Sequence, residues 1–266
     1  MDKETFNKFR HIVYEKSGIT LREGKEALVT ARVGKRMRAL GLDDHKKYLE
    51  HVLKDETGNE IVHLLDVIST NVTHFFREPE HFDFLAQQIK TAASRQNKIR
   101  IWCAASSSGE EPYSIAMTFF ESSNGFRGDF KILATDISTK VLKHAIEGIY
   151  AHSKIDKIPP ILLDRYFERV AAGEHYKYKV KKSLSNAVKF ARLNLSKPPF
   201  PMSGPFDLVF CRNVMIYFDN EVRKKLLNEV YRLLKPGGYL IVGHAESLTG
   251  MLCNLKSVKP SIYIKE

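Results

Sequence analysis

The 266-residue chain has 43% hydrophobic and 27% charged residues, a net charge of +11 and three cysteines. This composition predicts a folded protein with one large domain or two unequal ones, and no apolar run reaches the roughly 18–20 residues of a membrane-spanning helix. The polar N-terminus is unlike a signal peptide. The widely spaced Cys103, Cys211 and Cys253 argue against a zinc site or a disulfide framework. We therefore expect a reduced, cytoplasmic protein without membrane insertion.

The positive charge is concentrated in one segment. Residues 151–200 contain 11 Lys and Arg but four Asp and Glu, so +7 of the net charge of +11 lies there. Such a patch favours an acidic partner, which could be nucleic acid, a membrane surface or an acidic protein. The alternative is a solvated surface without a partner.

The first 70 residues predict an all-helical domain. Apolar residues recur with helical spacing before Gly18, which ends the first helix: Phe6, Phe9, Ile12 and Val13. Further helices are expected at about 25–40, from Asp43 or Asp44 through Val52, and at about 59–68. The second helix carries four cations on its polar face: Arg32, Lys35, Arg36 and Arg38.

The rest of the chain predicts a linker and an α/β domain. Residues 71–95 read as a linker followed by a connecting helix. From 96 to 266, strand and helix patterns alternate, which predicts a doubly wound, mostly parallel sheet. Strands are expected near 99–103, 131–136, 187–193, 206–210, 239–243 and 261–265, helices near 137–146 and 221–234, and a turn at 235–238. Lysines that alternate with Tyr176, Tyr178 and Val180 predict a small antiparallel β insertion at about 166–186.

The most informative segment is Ile99–Met117. It reads as a buried strand, a turn of small residues, and a helix that opens with Glu110, Glu111 and Pro112. Such units bind nucleotides in doubly wound proteins, yet this one lacks spaced glycines and a Lys-Ser/Thr pair for phosphate. Since two glutamates would repel a phosphate and suit a cation, the segment predicts a site for a positively charged nucleoside.

Polar residues follow several of the predicted strands. Asp136 ends the second strand, Asn194 and Leu195 follow the third, and 211–218 follow the fourth. Because the carboxyl ends of parallel strands meet at one edge of a sheet, these residues are expected to form one site. An acid at the tip of the second strand commonly binds ribose hydroxyls, and the alternative for Asp136 is a helix cap before Ser138.

Three motifs give the whole chain a resemblance to a known family. Residues 71–77, 102–114 and 210–219, in this order, make it similar to CheR, the chemotaxis receptor methyltransferases. The resemblance implies a small helical domain joined to an α/β domain with a β-subdomain, which binds S-adenosylmethionine and converts receptor glutamates to γ-methyl esters, releasing S-adenosylhomocysteine. It assigns nine residues to the cofactor pocket: Asn71, Thr73, Arg77, Glu111, Asp136, Asn194, Leu195, Arg212 and Asn213. It also implies that Arg77 and Tyr217 lie beside the transferred methyl group, and it implies no metal.

The side chains suit these implied roles. Glu111 can compensate the cationic methionine moiety, Leu195 can form an apolar wall, and Asn194 or Asn213 can pair with adenine or amino-acid edges. Because a glutamate is already ionised near neutral pH, with a reference pKa of about 4.3, no general base is required.

Arg77 and Tyr217 are candidates for handling the substrate glutamate. Arg77 can hold the carboxylate in line, and Tyr217 can orient it. The alternatives are a core position for Tyr217 beside Phe218 and an ion pair of Arg77 with Glu78 or Glu80.

Partners follow from the resemblance. The methylation regions of these receptors are acidic helical bundles, so we hypothesise that the face formed by Arg32, Lys35, Arg36 and Arg38 docks there. The insertion loop 171–177 has one glycine, whereas peptide-tethered members have a second, so binding of a receptor C-terminal peptide is not expected. We expect a monomer.

Two other function classes compete with this interpretation. Methylation of nucleic acid would suit the basic charge, but no RNA-binding module is present and residues 197–200 lack the leading Asp or Asn of a base-methylation motif. A non-catalytic adaptor is opposed by the presence of Arg77, Tyr217 and the whole pocket.

Overall fold

The structure is a computed structural model that describes residues 1–95, 97–173, 175–248, 250–251 and 254–266. Cys253, and Glu174 in the predicted insertion, lie outside the described residues. Among the described residues, no helix has both the length and the apolar character needed to cross a membrane.

The N-terminal region is helical, as predicted. Its helices are α1 (Lys3–Ser17), α2 (Glu26–Ala39), α3 (His45–Lys54) and α4 (Asn59–Ile68). The Asp2 carboxylate caps α1 by accepting from the Thr5 amide at 2.8 Å, and Gly18 ends this helix with a left-handed φ of 71°. Asp44 caps α3. The apolar faces of these helices share one buried core.

The strands that follow belong to two sheets. They are β1 (Lys98–Cys103), β2 (Asp129–Asp136), β3 (Ile149–Ala151), β4 (Phe167–Ala172), β5 (His175–Val180), β6 (Val188–Arg192), β7 (Phe206–Cys211), β8 (Leu234–Val242), β9 (Leu255–Lys259) and β10 (Ile262–Lys265). In the described chain, seven form a sheet in the order β6-β2-β1-β7-β8-β10-β9. Pairing is parallel from β6 to β8, and β10 pairs antiparallel with β8 and β9. The predicted fold class is therefore confirmed.

Helices cover this sheet on both faces. The helices of this half of the chain are α5 (Glu80–Ala93), α6 (Glu110–Ser122), α7 (Thr139–Glu147), α8 (His152–Ile155), α9 (Pro160–Tyr166), α10 (Lys182–Ser185) and α11 (Asn220–Leu233). Of these, α8 and α9 contact the small sheet instead. A short 3₁₀ helix, η1 (Met215–Tyr217), follows β7. Successive residues of a strand point to opposite faces, so Ile101 belongs to one buried core and Trp102 to the other.

The structure corrects two expectations. The segment 235–238 is part of β8 rather than a turn, because Phe206 pairs with Leu234 and Leu208 with Tyr239, so the extra residues form a bulge at Gly237 (φ 74°). The small sheet has the order β3-β5-β4, so its first strand lies before the predicted insertion at 166–186. Three residues are too few for the alternation that predicts a strand, and pairing with β5 forms β3.

Candidate functional site

A cavity of about 420 Å³ lies at the carboxyl ends of the parallel strands. All ten predicted site residues line it: Asn71, Thr73, Arg77, Glu111, Asp136, Asn194, Leu195, Arg212, Asn213 and Tyr217. Residues of the helical domain, among them Arg22, Lys25 and Leu28, form another part of its wall. Both halves of the chain therefore contribute to one cavity.

The turn between β1 and α6 brings backbone to the cavity. Gly109 precedes α6 with φ 98°, and a Cβ there would lie 2.7 Å from the Tyr150 hydroxyl oxygen, so only glycine fits. The Ser106 amide donates to the Thr135 carbonyl at 2.9 Å. This bond holds the turn against the end of β2.

Asp136 is buried at the end of β2. Its two carboxylate oxygens accept from the Ser107 and Ser138 amides at 2.8 and 2.9 Å. The N-cap of α7 is Ser138, whose hydroxyl accepts from the Val141 amide, so Asp136 is not the cap. Burial raises the pKa of Asp136, although the backbone hydrogen bonds oppose that effect. The carboxylate also interacts with the Ile137 amide, and its two oxygens together still keep acceptor capacity for a ligand hydroxyl.

Arg212 is a buried cation between two carboxylates. Its guanidinium lies 2.7 Å from Glu111 Oε2 and 2.9 Å from Glu78 Oε2, and it stacks over the Phe82 ring at 5.7 Å. Burial raises the pKa of Glu78, but hydrogen bonding and charge interaction with Arg212 outweigh burial and leave that pKa lowered. The three groups together carry a charge of −1.

Glu111 lines the cavity but is also bound to protein groups. Its Oε2 is paired with Arg212, and its Oε1 accepts from the Cys103 thiol at 3.1 Å. A cationic ligand would therefore meet the net charge of the three groups rather than an isolated Glu111 carboxylate. Glu78, considered in the sequence only as a partner of Arg77, belongs to this cluster instead.

The junction loop carries Arg77 along the cavity wall. The Arg77 guanidinium donates to the Val72 carbonyl at 3.0 Å, while Glu78, one of the two alternative ion-pair partners considered for it, binds Arg212. The Asn71 side chain donates from Nδ2 to Ser69 Oγ. The backbone carbonyl of Asn71 accepts from the Ser107 hydroxyl at 3.1 Å, and this bond connects the loop to the β1–α6 turn.

Backbone strain is concentrated around the cavity. Four of the six non-glycine residues that have left-handed φ values in the described chain lie in three of the loops around it, and the other two, Asn124 and Ser261, lie elsewhere: the four are Phe76 (53°), Glu78 (57°), Ser107 (47°) and Asn213 (58°). Each such residue costs on the order of 1–3 kcal/mol, and such residues cluster at functional sites. The distribution of strain therefore points to the same location as the side chains.

The helical domain contacts two of the predicted site residues directly. The Thr20 amide donates to the Tyr217 carbonyl at 2.8 Å, and Asn194 Nδ2 donates to the Lys16 carbonyl at 2.7 Å. Since Asn194 Oδ1 also accepts from Ser196, this side chain serves the domain contact and keeps one amide hydrogen for a ligand. Tyr217 both lines the cavity and packs against the core beside it.

A second group of side chains lies behind Arg212. Among the residues that the structure describes, Glu78, His81 and His244 could approach one metal ion. However, the Arg212 guanidinium already pairs with Glu78 Oε2, and its charge opposes another cation. Burial, followed by the charge of Arg212, lowers the pKa of His81 to about 4.

The basic face of α2 is partly committed to internal contacts. Arg32 donates to the Ile68 carbonyl and to Thr70 Oγ1, and Arg36 binds the buried Glu60 at 2.9 and 2.6 Å. These contacts arise because α2 packs against α4. Of the four predicted docking cations, Lys35 and Arg38 are the exposed ones.

Comparison with known proteins agrees with this architecture. The CheR methyltransferase all-alpha domain matches residues 4–69, and the CheR methyltransferase SAM-binding domain matches residues 71–264. The chain is 42% identical to the chemotaxis protein methyltransferase of Borreliella burgdorferi, over 99% of this chain and 94% of that one. Identity to the chemotaxis protein methyltransferases of Escherichia coli and Salmonella typhimurium is 40% and 39%, over 92% and 93% of this chain and 84% and 85% of theirs. The chain belongs to the CheR methyltransferase family.

Proposed function

We propose that this protein transfers the methyl group of S-adenosylmethionine to glutamate side chains of chemotaxis receptors, forming γ-methyl esters and S-adenosylhomocysteine. The observation that carries the proposal is one cavity lined by the acid at the end of β2, the Arg212 cluster, Arg77 and Tyr217. Similarity to chemotaxis protein methyltransferases along nearly the whole chain supports the receptor as substrate. We also propose that the protein acts in the cytoplasm, as a monomer.

The residues present fit this cofactor. The buried Asp136 retains acceptor capacity for ribose hydroxyls, and Leu195 offers an apolar wall. Glu78, Glu111 and Arg212 together supply the single negative charge that suits a sulfonium. When bound, S-adenosylmethionine supplies an electrophilic methyl carbon.

The protein then has to align the acceptor rather than activate it. A glutamate with a reference pKa of about 4.3 is ionised at neutral pH, so its oxygen needs no base. The guanidinium of Arg77 can hold this carboxylate through charge-assisted hydrogen bonds, and Tyr217 can restrict its orientation. Alignment and the exclusion of water can contribute roughly 7–11 kcal/mol to such a reaction.

The receptor would dock at the mouth of the cavity. Exposed apolar side chains from three segments line it there, namely Leu28 of α2, Val72 of the junction loop and Ile216 of η1. The exposed cations Arg22 and Lys25 lie on the same wall. This mixture suits a helix that presents an ionised glutamate among apolar neighbours, with Lys35 and Arg38 available for more distant acidic groups.

The reaction is tested with radiolabelled S-adenosylmethionine and receptor-containing membranes. Label on the receptor that is released by base supports the ester, whereas label on RNA or on no macromolecule contradicts the proposal. Arg77→Gln should lower the transfer rate at least about 10-fold, because it removes a hydrogen bond to a charged group worth about 1.5–3 kcal/mol. Arg127→Gln is the matched control, since Arg127 is exposed beside the start of β2, away from the cavity.

A further inference from the structure

Glu246 lies just beyond β8 and is buried, with 5% of its surface exposed. Its carboxylate accepts hydrogen bonds from four backbone amides. Oε2 accepts from Gly243 at 2.7 Å and Asn213 at 2.6 Å, and Oε1 accepts from Met215 at 2.7 Å and Ile216 at 3.3 Å. No sequence pattern singled out this residue, because three of its four partners lie 30–33 positions away.

These four amides belong to the loops that form one wall of the cavity. Gly243 follows β8, Asn213 follows β7, and Met215 and Ile216 form the first turn of η1, which ends at Tyr217. The residue before η1, Val214, provides no side-chain cap. The Glu246 carboxylate therefore takes the place of a helix cap and joins the ends of two neighbouring strands.

The backbone is shaped around this carboxylate. A Cβ on Gly243 would lie 2.9 Å from Glu246 Oε2 and even closer to the side-chain nitrogen Nδ2 of Asn213, so Gly243 allows the close approach. Asn213 has a left-handed φ of 58°, and the hydrogen bond from its backbone N–H to Glu246 helps to hold that conformation. From the other side, the Thr20 amide binds the Tyr217 carbonyl.

We infer that Glu246 is a positioning residue for methyl transfer: its carboxylate holds Asn213 and η1, and thereby the Tyr217 ring, in place at the cavity. This inference rests on the proposed function, in which Tyr217 lies beside the transferred methyl group. Glu246 itself has no place among the cavity-lining residues, so it acts through the loop.

The chemistry of the carboxylate makes the inference testable by conservative variants. An ionised carboxylate offers acceptors on both oxygens, whereas the amide nitrogen of glutamine is a donor and would face two backbone N–H groups. Glu246→Gln should therefore release half of the contacts and let η1 shift. Glu246→Asp keeps the charge and both acceptors on a side chain one methylene shorter, so it should restore part of the function.

The matched control is Asp207→Asn. Asp207 is also buried on β7 and accepts from the Arg100 amide at 2.7 Å, but it lies at the opposite end of the strand from the cavity. Both substitutions disturb a buried carboxylate that binds backbone, and only one of them disturbs η1.

The experiment measures kcat and KM with receptor membranes, the Kd for S-adenosylhomocysteine, and the amide hydrogen exchange of residues 213–217. Because a displacement of about 1 Å can cost about 100-fold in rate, we expect kcat to fall 10- to 100-fold in Glu246→Gln, to recover partly in Glu246→Asp, and to stay within about threefold in Asp207→Asn. Exchange at 215–216 should accelerate in Glu246→Gln. Combining Glu246→Gln with Tyr217→Phe should cost clearly less than the product of the two single effects.

Two results would overturn the inference. One is unchanged exchange at 213–217 in Glu246→Gln or, if that variant does not fold, the absence in Glu246→Asp of the smaller acceleration expected from its shorter side chain. The other is a loss of kcat that simply multiplies with that of Tyr217→Phe. Failure of the proposed function is distinguishable, because the wild-type protein would then leave the receptor unlabelled while the exchange of residues 213–217 still reported on Glu246.

Discussion

At the scale of single residues, Arg212 connects the segments that form the site, because it is the cation that pairs with both Glu78 and Glu111. It is fully buried and its two carboxylate partners come from different segments, the junction loop and α6. Removing one partner of a buried pair leaves an uncompensated charge, which costs about 3–5 kcal/mol, whereas an exposed pair contributes little. The same arginine therefore stabilises the fold and shapes the cavity.

Arg212→Gln should lower the free energy of unfolding by about 3–5 kcal/mol, because Glu78 and Glu111 would remain buried without their cation. Urea denaturation followed by circular dichroism measures this change. Lys8→Gln, which breaks the exposed pair with Glu4, is the control and should leave stability nearly unchanged. Equal losses in both variants would contradict the importance of burial.

Asp136→Asn should weaken binding of S-adenosylhomocysteine about 10- to 100-fold. The substitution removes an acceptor worth about 1.5–3 kcal/mol to a ribose hydroxyl, and it turns an amide donor toward the Ser107 or Ser138 amide. Isothermal titration calorimetry measures the Kd. Asp129→Asn, at the other end of β2, is the matched control, and an effect of similar size there would argue against a specific contact at Asp136.

At the scale of elements, the β7–η1 segment and α2 show how one element serves two tasks. β7 is buried along its whole length and ends in the residues that line the cavity. α2 was expected to present four cations on its basic face, yet one of them, Arg36, forms an ion pair with the buried Glu60. Helical periodicity predicts which residues share a face but not which of them a neighbouring helix will cover.

The contact between α2 and α4 predicts an acid-sensitive helical domain. Burial raises the pKa of Glu60, but hydrogen bonds from Arg36 and Tyr48 outweigh burial and leave the pKa below its ordinary value of about 4.5. A carboxyl with a lowered folded-state pKa stabilises the fold fully above its unfolded pKa and loses this contribution as the pH falls through the folded value. His51 and His63 also face Glu60.

Thermal unfolding of wild type and Glu60→Gln between pH 7 and pH 3 tests this linkage. We expect wild type to be more stable at pH 7 and its advantage to shrink below about pH 4.5. The exposed Glu56→Gln variant should follow wild type throughout. An advantage that stays constant down to pH 3 would mean that Glu60 is not the acid-sensitive group.

At the scale of the whole molecule, the two halves of the chain meet at the cavity. Gly18, at the end of α1, approaches Ser196 so closely that a Cβ would lie 2.5 Å from the Ser196 Cβ. The Tyr14 hydroxyl donates to the Asp219 carboxylate at 2.5 Å, and Ile19 forms an isolated antiparallel β-bridge with Phe218. The geometry of the cavity therefore depends on how the helical domain is seated.

Gly18→Ala should loosen this contact and weaken binding of S-adenosylhomocysteine. Alanine in the left-handed conformation costs about 1–2 kcal/mol by itself, and the collision with Ser196 adds to that cost. Gly41→Ala isolates the first effect, because Gly41 has φ 68° and open space around it. The Kd for S-adenosylhomocysteine, measured by calorimetry, and the rate of limited proteolysis near residue 70 should both be higher in Gly18→Ala than in Gly41→Ala. Identical values in the two variants would show that the contact between the domains does not determine cofactor-site geometry.

The sequence alone determined most of the helices and strands, the sheet edge that carries the candidate site, and the family. Apolar periodicity, with Gly41 as the expected stop of α2, placed α2 and α4 within a residue. The buried strands that end at Cys103, Asp136 and Cys211 brought their polar residues to one sheet edge. The resemblance carried by three motifs supplied the family. The helices, the strands and the three motifs are local features, because each depends on residues that are close together in the sequence.

Only the tertiary structure decided how charges and backbone groups are paired across the chain. Arg212 meets Glu78 134 positions away, Glu246 binds amides about 30 positions away, and the segment 235–238 is drawn into β8 by its pairing with β7. Whether a side chain is buried, and which partner then satisfies it, depends on the packing of distant segments. Spacing along the chain carries no record of that packing, so the pairing of the cavity-lining Glu111 with Arg212 could not be predicted.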